Sequence, residues 1–241
     1  DDPFLLFLSP HQPHWTPFEF APAEYYDGLP DEFELPENVG DRWRAETQEM
    51  YRHYFAMIRA VDVMIGRVLD HLDRTGLADN TIVLLASDHG TQGGAHGVHP
   101  WQKKHPYEES IHIPGIVRYP GVIEPNTVAD ELIGMPDFFP TLCGLADVPV
   151  PRSVEGFDFS QHLRAAAPAD RASLQDALLI MNFSKHFDSF ETGKEWRAVR
   201  TTDWMYSEWL NGRRELFDLR NDPLQLQNLV DDPGYGDNRT E

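Results

Sequence analysis

Residues 81–110 read "TIVLLASDHGTQGGAHGVHPWQKKHPYEES", an apolar run that leads into a loop crowded with histidine, glycine and lysine. The run Thr81–Ala86 follows a turn at Asp79 and Asn80, and its continuous apolar character is typical of a strand buried on both faces. Ligands of open α/β sheets bind at the ends of such strands, because the loops converge there while the sheet stays rigid. This stretch therefore predicts both a fold class and a functional site.

Upstream, apolar residues recur at intervals of three and four from Asp41 to Thr75, which predicts one long amphipathic helix that ends at Gly76. Before it, Phe4–Leu8 is a short apolar run between two prolines and is predicted to be another buried strand. Strand, helix, turn and strand in this order predict a right-handed crossover and a mainly parallel sheet flanked by helices. The fold class expected from the sequence is therefore α/β.

Downstream, residues 112–121 are a further strand candidate, and residues 135–148 are predicted to form a short helix that buries Cys143. The stretch "RAAAPADRAS" is typical of a linker. Three short aromatic segments follow, "EWRAVRTT", "WMYSEWL" and "RELFDL", and Asn211-Gly212 between the last two indicates a hairpin. We therefore expect an α/β part over residues 1–165 and a small antiparallel subdomain over residues 166–241.

The composition excludes several classes of protein. Forty acidic and twenty basic residues give a net charge of −20, which would repel nucleic acid and anionic lipid. The chain contains no apolar run long enough to span a membrane, and its single cysteine, Cys143, excludes an intrachain disulfide and a cysteine zinc cluster. An anionic ligand would need a local cation to overcome this negative field, and a bound metal ion is the strongest candidate.

Asp88 and His89 stand at the end of the apolar run, and Gly90 relieves the backbone crowding of the turn behind them. A carboxylate favours Ca²⁺ or Mg²⁺ as the bound ion, and the added imidazole admits Mn²⁺ or Zn²⁺. The alternative is structural, with an aspartate that caps the next turn beside a hydrogen-bonded histidine. Lys103 and Lys104 return toward this loop and favour the ion site, because a lysine beside a metal is expected where an anion lies between them.

Five stretches carry a family pattern in a fixed order between residues 3 and 231: "PFLLFLSPHQPHW", "ASDHG", "WQKKHPYEESIHIPGIVRYPG", "PTLCGLADVPVP" and "ELFDLRNDPLQLQNLV". Together they resemble the sulfatases of the alkaline phosphatase superfamily. The resemblance implies an alkaline phosphatase-like α/β fold and metal-dependent hydrolysis of an organic sulfate ester, either a small molecule or a carbohydrate. It slightly favours a periplasmic or extracellular location, and it leaves the oligomeric state open.

The resemblance also assigns roles to individual residues. Asp88 and His89 match two of the four protein ligands of the family's divalent metal, usually Ca²⁺, with Mg²⁺ or Mn²⁺ as alternatives. Lys103, four residues before Tyr107, matches the lysine that holds the sulfate and the leaving-group oxygen. His14 matches the histidine that contacts the ester oxygen and protonates the leaving alcohol. Three further residues are expected to contact the substrate: His11, His96 and Lys104.

One departure from the family pattern concerns the nucleophile, a formylglycine made within a C/S-x-P-S-R or C/S-x-A-x-R sequence. No such sequence occurs in this chain, and Cys143 in "LCGLAD" lacks the flanking residues. We interpret the chain as the C-terminal portion of a sulfatase, with the formylglycine expected upstream, and we expect the chain alone to hydrolyse no sulfate ester. Two alternatives stay open, a phosphonate monoester or phosphodiester hydrolase of the same superfamily and a non-catalytic relative that binds a sulfated glycan.

Overall fold

The computed structural model describes residues 3–15, 21–164, 172–183 and 195–235. Much of its first part is a 32-residue helix, α1 (Arg44–Thr75). A 3₁₀ turn at Asp41–Trp43 leads into α1, so the predicted start is confirmed to within one turn. The helix buries Met50 and Met57, and it ends at Gly76, whose φ of 72° is a left-handed value that glycine adopts at low cost. None of the described helices has the length and apolarity needed to cross a membrane.

The chain divides into two compact units. The first comprises Asp1–Leu77 together with Gly93–Trp101 and contains α1, and the second comprises Ala78–Gln92 together with Gln102–Glu241. The expected domain boundary between residues 165 and 166 stays a prediction. Most of the predicted linker lies outside the described residues.

Residues 3–10 form no strand, and their side chains are exposed, Leu5 to 92% and Phe7 to 85%. The predicted buried strand over Phe4–Leu8 is therefore wrong for this structure. A strand needs a neighbour that pairs with its backbone N–H and C=O groups. Within the described ranges, no strand pairs with this run.

In the second unit, the strand predicted at residues 81–86 is confirmed as β1 (Val83–Ala86), and it pairs with β2 (Gly115–Arg118). The pairing is antiparallel, whereas the sequence predicted a mainly parallel sheet. The prediction rested on a crossover from residues 4–8 through the long helix to β1. The neighbour of β1 is instead β2, which the chain reaches after the short helix α2 (Glu108–Ile111).

The helix α3 (Met135–Leu145) confirms the short helix predicted over residues 135–148. The backbone N–H of Gly134 donates a hydrogen bond to Asp137 Oδ2 at 2.7 Å, which closes the first turn. Cys143 is buried on this helix as a free thiol, in agreement with its expected packing role. A five-residue helix, α4 (Ser160–Arg164), contacts α3.

The C-terminal part of the second unit contains a four-stranded antiparallel sheet in the order β3-β4-β5-β6. Its strands are β3 (Ala177–Asn182), β4 (Trp196–Thr201), β5 (Trp204–Trp209) and β6 (Arg214–Asp218). The last three coincide with the predicted aromatic segments, so the appended antiparallel sheet is confirmed. The first strand was missed, because its aliphatic residues carry no aromatic signal. Gly212, with a φ of 86°, forms the predicted hairpin turn.

One face of this sheet is the apolar core of the second unit. Trp196 and Trp209 lie opposite each other on neighbouring strands, and both are 5% exposed. Tyr107, at the start of α2, belongs to the same core, and its ring meets that of Phe217 edge to face at a centroid distance of 6.2 Å. The sheet and α2 therefore share one packed interior.

Candidate functional site

The loop after β1 is held in place by local and long-range hydrogen bonds. Ser87 Oγ donates to the carbonyl of His89 at 2.7 Å, which closes the turn locally. The N–H of Gly90 donates to the carbonyl of Ser110 at 2.8 Å. A Cβ atom at Gly90 would lie 2.0 Å from the carbonyl oxygen of Glu109, so only glycine allows the two backbones this close approach.

Within this loop, the side chains of Asp88 and His89 come together. His89 Nδ1 lies 2.8 Å from the carbonyl of Gly90, and because a carbonyl only accepts, Nδ1 carries the hydrogen. In the neutral ring, Nε2 then presents a lone pair 3.3 Å from Asp88 Oδ2. A cation satisfies both atoms, either a proton on the ring or a divalent metal ion, whose neighbouring ligands stand about 3 Å apart.

The carboxylate oxygen of Asp88 and the imidazole nitrogen of His89 are therefore atoms of the kind that bind a cation. The Asp88 side chain is 79% exposed, and that of His89 is 35% exposed, so both are open to an incoming ion. Among the residues that the structure describes, no group of three or more histidine, cysteine, aspartate or glutamate side chains is close enough to hold a metal ion.

Lys103 lies between two residues whose carbonyl groups accept long-range hydrogen bonds. On one side, the carbonyl of Gln102 accepts from the N–H of Gln92 at 2.8 Å and from Thr91 Oγ1 at 3.2 Å. On the other side, the carbonyl of Lys104 accepts from Trp196 Nε1 at 2.9 Å. The backbone is thus attached to the loop after β1 before Lys103 and to the C-terminal sheet directly after it.

Four residues further on, Tyr107 attaches the segment to the sheet a second time. Its hydroxyl donates to Glu215 Oε1 at 3.2 Å and accepts from Arg213 Nη2 at 2.9 Å, while Arg213 also pairs with Glu215. Burial and the neighbouring Glu215 carboxylate raise the pKa of Tyr107 well above its ordinary value. The phenol is therefore a neutral donor throughout the physiological range.

Glu108 provides a third attachment. Its two carboxylate oxygens accept from Arg200 at 3.2 and 3.0 Å in a bidentate pair, and its backbone N–H donates to Gln225 Oε1 at 2.8 Å. Burial raises the pKa of Glu108, but hydrogen bonds from His112 and Arg200 outweigh it and hold the pKa below its ordinary value. Glu108, an acidic residue of the "YEES" motif, therefore has a structural role here.

The remaining candidates belong to the first unit. His11 and His14 are exposed, their ring centroids lie 4.7 Å apart, and His14 Nδ1 bonds to the carbonyl of Trp15 at 2.7 Å. His96 has a left-handed φ of 56°, and its N–H donates to the carbonyl of Asn38 at 3.0 Å. The bond from His96 therefore joins its loop to the segment that carries Asn38.

The structure thus brings four of the seven candidates into one unit, namely Asp88, His89, Lys103 and Lys104. The other three, His11, His14 and His96, are in the first unit. Sequence reasoning missed the residues that hold the lysine segment, Trp196, Arg200, Arg213 and Glu215. They lie about a hundred positions away in the chain, and no local pattern links them to it.

Comparisons with known proteins identify the family of this chain. The family model described as Sulfatase matches residues 1–148, and the model described as N-sulphoglucosamine sulphohydrolase, C-terminal, matches residues 94–241. An ulvan-active sulfatase from Formosa agariphila is 35% identical over 98% of this chain and 45% of its own length. This chain spans less than half the length of these curated relatives, which include an endo-4-O-sulfatase from Bacteroides thetaiotaomicron.

Solved structures show the same fold. A protein solved in complex with its substrate D-glucosamine-2-N,6-O-disulfate superimposes with a TM-score of 0.74 at 28% identity, over 85% of this chain and 41% of that protein. A phosphonate monoester hydrolase from Agrobacterium radiobacter has a TM-score of 0.68 at 24% identity, over 83% of this chain and 41% of its own, which shows a shared fold alone. The expected alkaline phosphatase-like fold class is confirmed, and the chain belongs to the sulfatase family.

Proposed function

We propose that this chain contributes one part of the active site of a sulfatase that hydrolyses the sulfate ester of a carbohydrate. Membership of the sulfatase family is the observation that carries this proposal. The carbohydrate is supported by the relative solved with a disulfated glucosamine and by the match to an N-sulphoglucosamine sulphohydrolase model. Because the chain covers less than half of its relatives, the activity is proposed for the protein that contains it.

Lys103 is proposed to hold the sulfate group and to stabilise the oxygen of the departing alcohol. A sulfate ester is an anion, and the net charge of −20 opposes its approach, so the site needs local cations. The lysine ammonium supplies one, on a segment whose flanking carbonyls are hydrogen-bonded. Lys104 is proposed to contact substrate more peripherally, because it is one position out of the family register.

Asp88 and His89 are proposed to hold a divalent metal ion, with Ca²⁺ as the first candidate and Mg²⁺ or Mn²⁺ as alternatives. The paired lone-pair atoms, 3.3 Å apart and open to solvent, support this role. When bound, such an ion polarises the sulfate oxygens and so favours attack at sulfur. The tight turn that Ser87 and Gly90 close would hold the two ligand side chains next to each other.

His14 is proposed to protonate the leaving alcohol, with His11 and His96 as substrate contacts. An imidazole can serve as such an acid, and a hydrogen bond from Nδ1 to the carbonyl of Trp15 holds the His14 ring. The exposure of both His11 and His14 supports access by a substrate. A formylglycine nucleophile is expected from residues that precede this chain.

The test compares Lys103→Ala with Lys104→Ala in the protein expressed with whatever coding sequence precedes Asp1 in its gene. The measured quantity is kcat/KM for a sulfated monosaccharide. We expect Lys103→Ala to lower it about 10²- to 10³-fold, as for removal of one donor to a developing charge, and Lys104→Ala to lower it less than about tenfold. Equal losses in the two variants would contradict the assignment of Lys103.

The same preparation separates the two hydrolase alternatives. A phosphonate monoester hydrolase is supported here only by fold, whereas the sulfatase assignment rests on family membership. We therefore expect kcat/KM for an aryl sulfate to exceed that for the matching phenyl phosphonate ester. The reverse order would favour the phosphonate hydrolase, and turnover of neither ester would favour a non-catalytic glycan-binding relative.

A further inference from the structure

The indole of Trp196 holds the chain at the residue next to Lys103. Trp196 Nε1 donates to the carbonyl of Lys104 at 2.9 Å across 92 positions of sequence. On the other side of Lys103, the carbonyl of Gln102 accepts from the N–H of Gln92 at 2.8 Å. The two acceptor carbonyls enclose only Lys103 and Lys104, and Lys103 is the lysine with the proposed sulfate-holding role.

The donor itself is held rigidly. Trp196 is the first residue of β4, pairs with Trp209 of β5, and is 5% exposed within the core that also contains Met205 and Phe217. A buried indole in a packed core has few alternative positions, so its N–H points in one direction. Tyr107 enters the same core three residues after Lys104 and holds the far end of the segment.

We infer that Trp196 is a positioning residue for Lys103, and that the C-terminal sheet thereby sets the placement of the sulfate-holding ammonium. A lysine side chain is a long flexible stem, so the region that its ammonium samples depends on where the backbone lies and how it is oriented. The indole hydrogen bond constrains the backbone at the carbonyl of Lys104, as the bond from Gln92 does at the carbonyl of Gln102. This inference rests on the proposed function of Lys103, and it adds a role for a residue far from the lysine in sequence.

The test replaces Trp196 by phenylalanine in the protein that carries its natural upstream coding sequence. Phenylalanine keeps an aromatic ring in the core and removes the N–H donor. We expect the inhibition constant of inorganic sulfate and the KM of a sulfated monosaccharide to rise about tenfold, the size of effect seen when a residue that orients a ligand is removed. Trp209→Phe is the matched control, because Trp209 is equally buried and its ring contacts Arg213 instead.

A second variant separates the two possible causes of the effect of Trp196→Phe, which are a change of shape in the core and the loss of the N–H donor. Incorporation of benzothienylalanine at position 196 keeps the bicyclic ring and replaces only the N–H by sulfur. We expect this variant to melt within a few degrees of the wild-type protein and to show the same rise in the sulfate inhibition constant. An unchanged inhibition constant in this variant would overturn the inference.

A double-mutant cycle tests whether Trp196 acts through Lys103. In a Lys103→Ala background, we expect Trp196→Phe to change the sulfate inhibition constant less than about twofold, because the group that it positions is gone. An undiminished effect in that background, or equal effects of Trp196→Phe and Trp209→Phe, would overturn the inference while leaving the proposed function intact. A wild-type protein without sulfate ester turnover would overturn both.

Discussion

The segments that carry Lys103 and His14 are held in different ways. Around Lys103, the backbone and the side chains of the next residues bond to partners as far away as Glu215. The contacts of His14 include the Trp15 carbonyl and the His11 ring, both within three positions along the chain. The comparison shows that the placement of Lys103 depends on residues about a hundred positions away in the chain, whereas these two contacts of His14 depend on its immediate neighbours.

The same contrast holds for apolar burial. The run at residues 4–8 is more hydrophobic than β5, yet its side chains are exposed, whereas β5 lies between two strands and buries Met205 completely. Burial of apolar area drives folding only when another apolar surface is available to cover it. Hydrophobicity alone therefore does not decide which of these two segments is buried.

The largest expected effect comes from the same substitution made in the run at residues 4–8 and in β6, the strand that pairs with β5. In the 241-residue chain, Phe217→Ala removes a core ring that is 3% exposed, and we expect the free energy of unfolding to fall by about 3–5 kcal/mol. Phe7→Ala removes a ring that is 85% exposed, and we expect a change below about 0.5 kcal/mol. Urea unfolding of both variants measures the difference.

The Phe7→Ala experiment can be repeated in the protein that carries the preceding coding sequence. If the penalty of Phe7→Ala rises to the level of a core residue when the preceding coding sequence is present, the run packs against residues outside this chain. Equal losses of unfolding free energy for the two substitutions in the 241-residue chain would show that Phe7 is as well packed as Phe217.

A smaller effect is expected at the backbone contact between the loop after β1 and α2. Gly90→Ala places a Cβ atom 2.0 Å from the Glu109 carbonyl oxygen, so one backbone has to move, and we expect a loss of about 1–3 kcal/mol. At Gly115, nothing lies within 4 Å of an added Cβ, and the matched Gly115→Ala variant should be neutral or slightly more stable. Thermal unfolding compares them, and similar melting temperatures would show that the close approach is relaxed in solution.

The smallest effect is a pH dependence at the pair of Glu108 and His112. The hydrogen bond to Glu108 raises the pKa of His112 above its ordinary value of 6.5, so its contribution to stability is complete below that pH and is lost as the pH rises through the raised value. The pKa of Glu108 is lowered, so its contribution is lost only in acid, as the pH falls through the lowered value. The His112 side chain is 74% exposed, which keeps the effect below about 0.5 kcal/mol.

This dependence is measured as the difference in unfolding free energy between wild-type protein and His112→Gln. Other titrating groups are common to both proteins and cancel in the difference. We expect wild-type protein to have the larger advantage at pH 6 and a smaller one at pH 8. An advantage that grows from pH 6 to pH 8 would have the wrong sign for the interaction.

Several features were predictable because their causes are local. The apolar period of α1 and its glycine stop, the strand before Asp88, and the hairpin at Gly212 each depend on residues within a few positions of one another. The short motifs around Asp88 and Lys103 likewise sufficed to indicate the family, which the comparisons then confirmed. The roles of the individual site residues stay predictions.

Features that neighbouring residues determine differ from those that depend on the path of the whole chain. The sequence alone determined the amphipathic helix, the turns and the family motifs, because side-chain periodicity and backbone preference are properties of neighbouring residues. The tertiary structure was needed to show that residues 4–8 pair with no described strand, that β1 pairs with β2, and that Trp196 bonds to Lys104. These are contacts between distant parts of the chain, and a hydrogen-bond donor or a strand edge has many acceptable partners until folding brings one of them close.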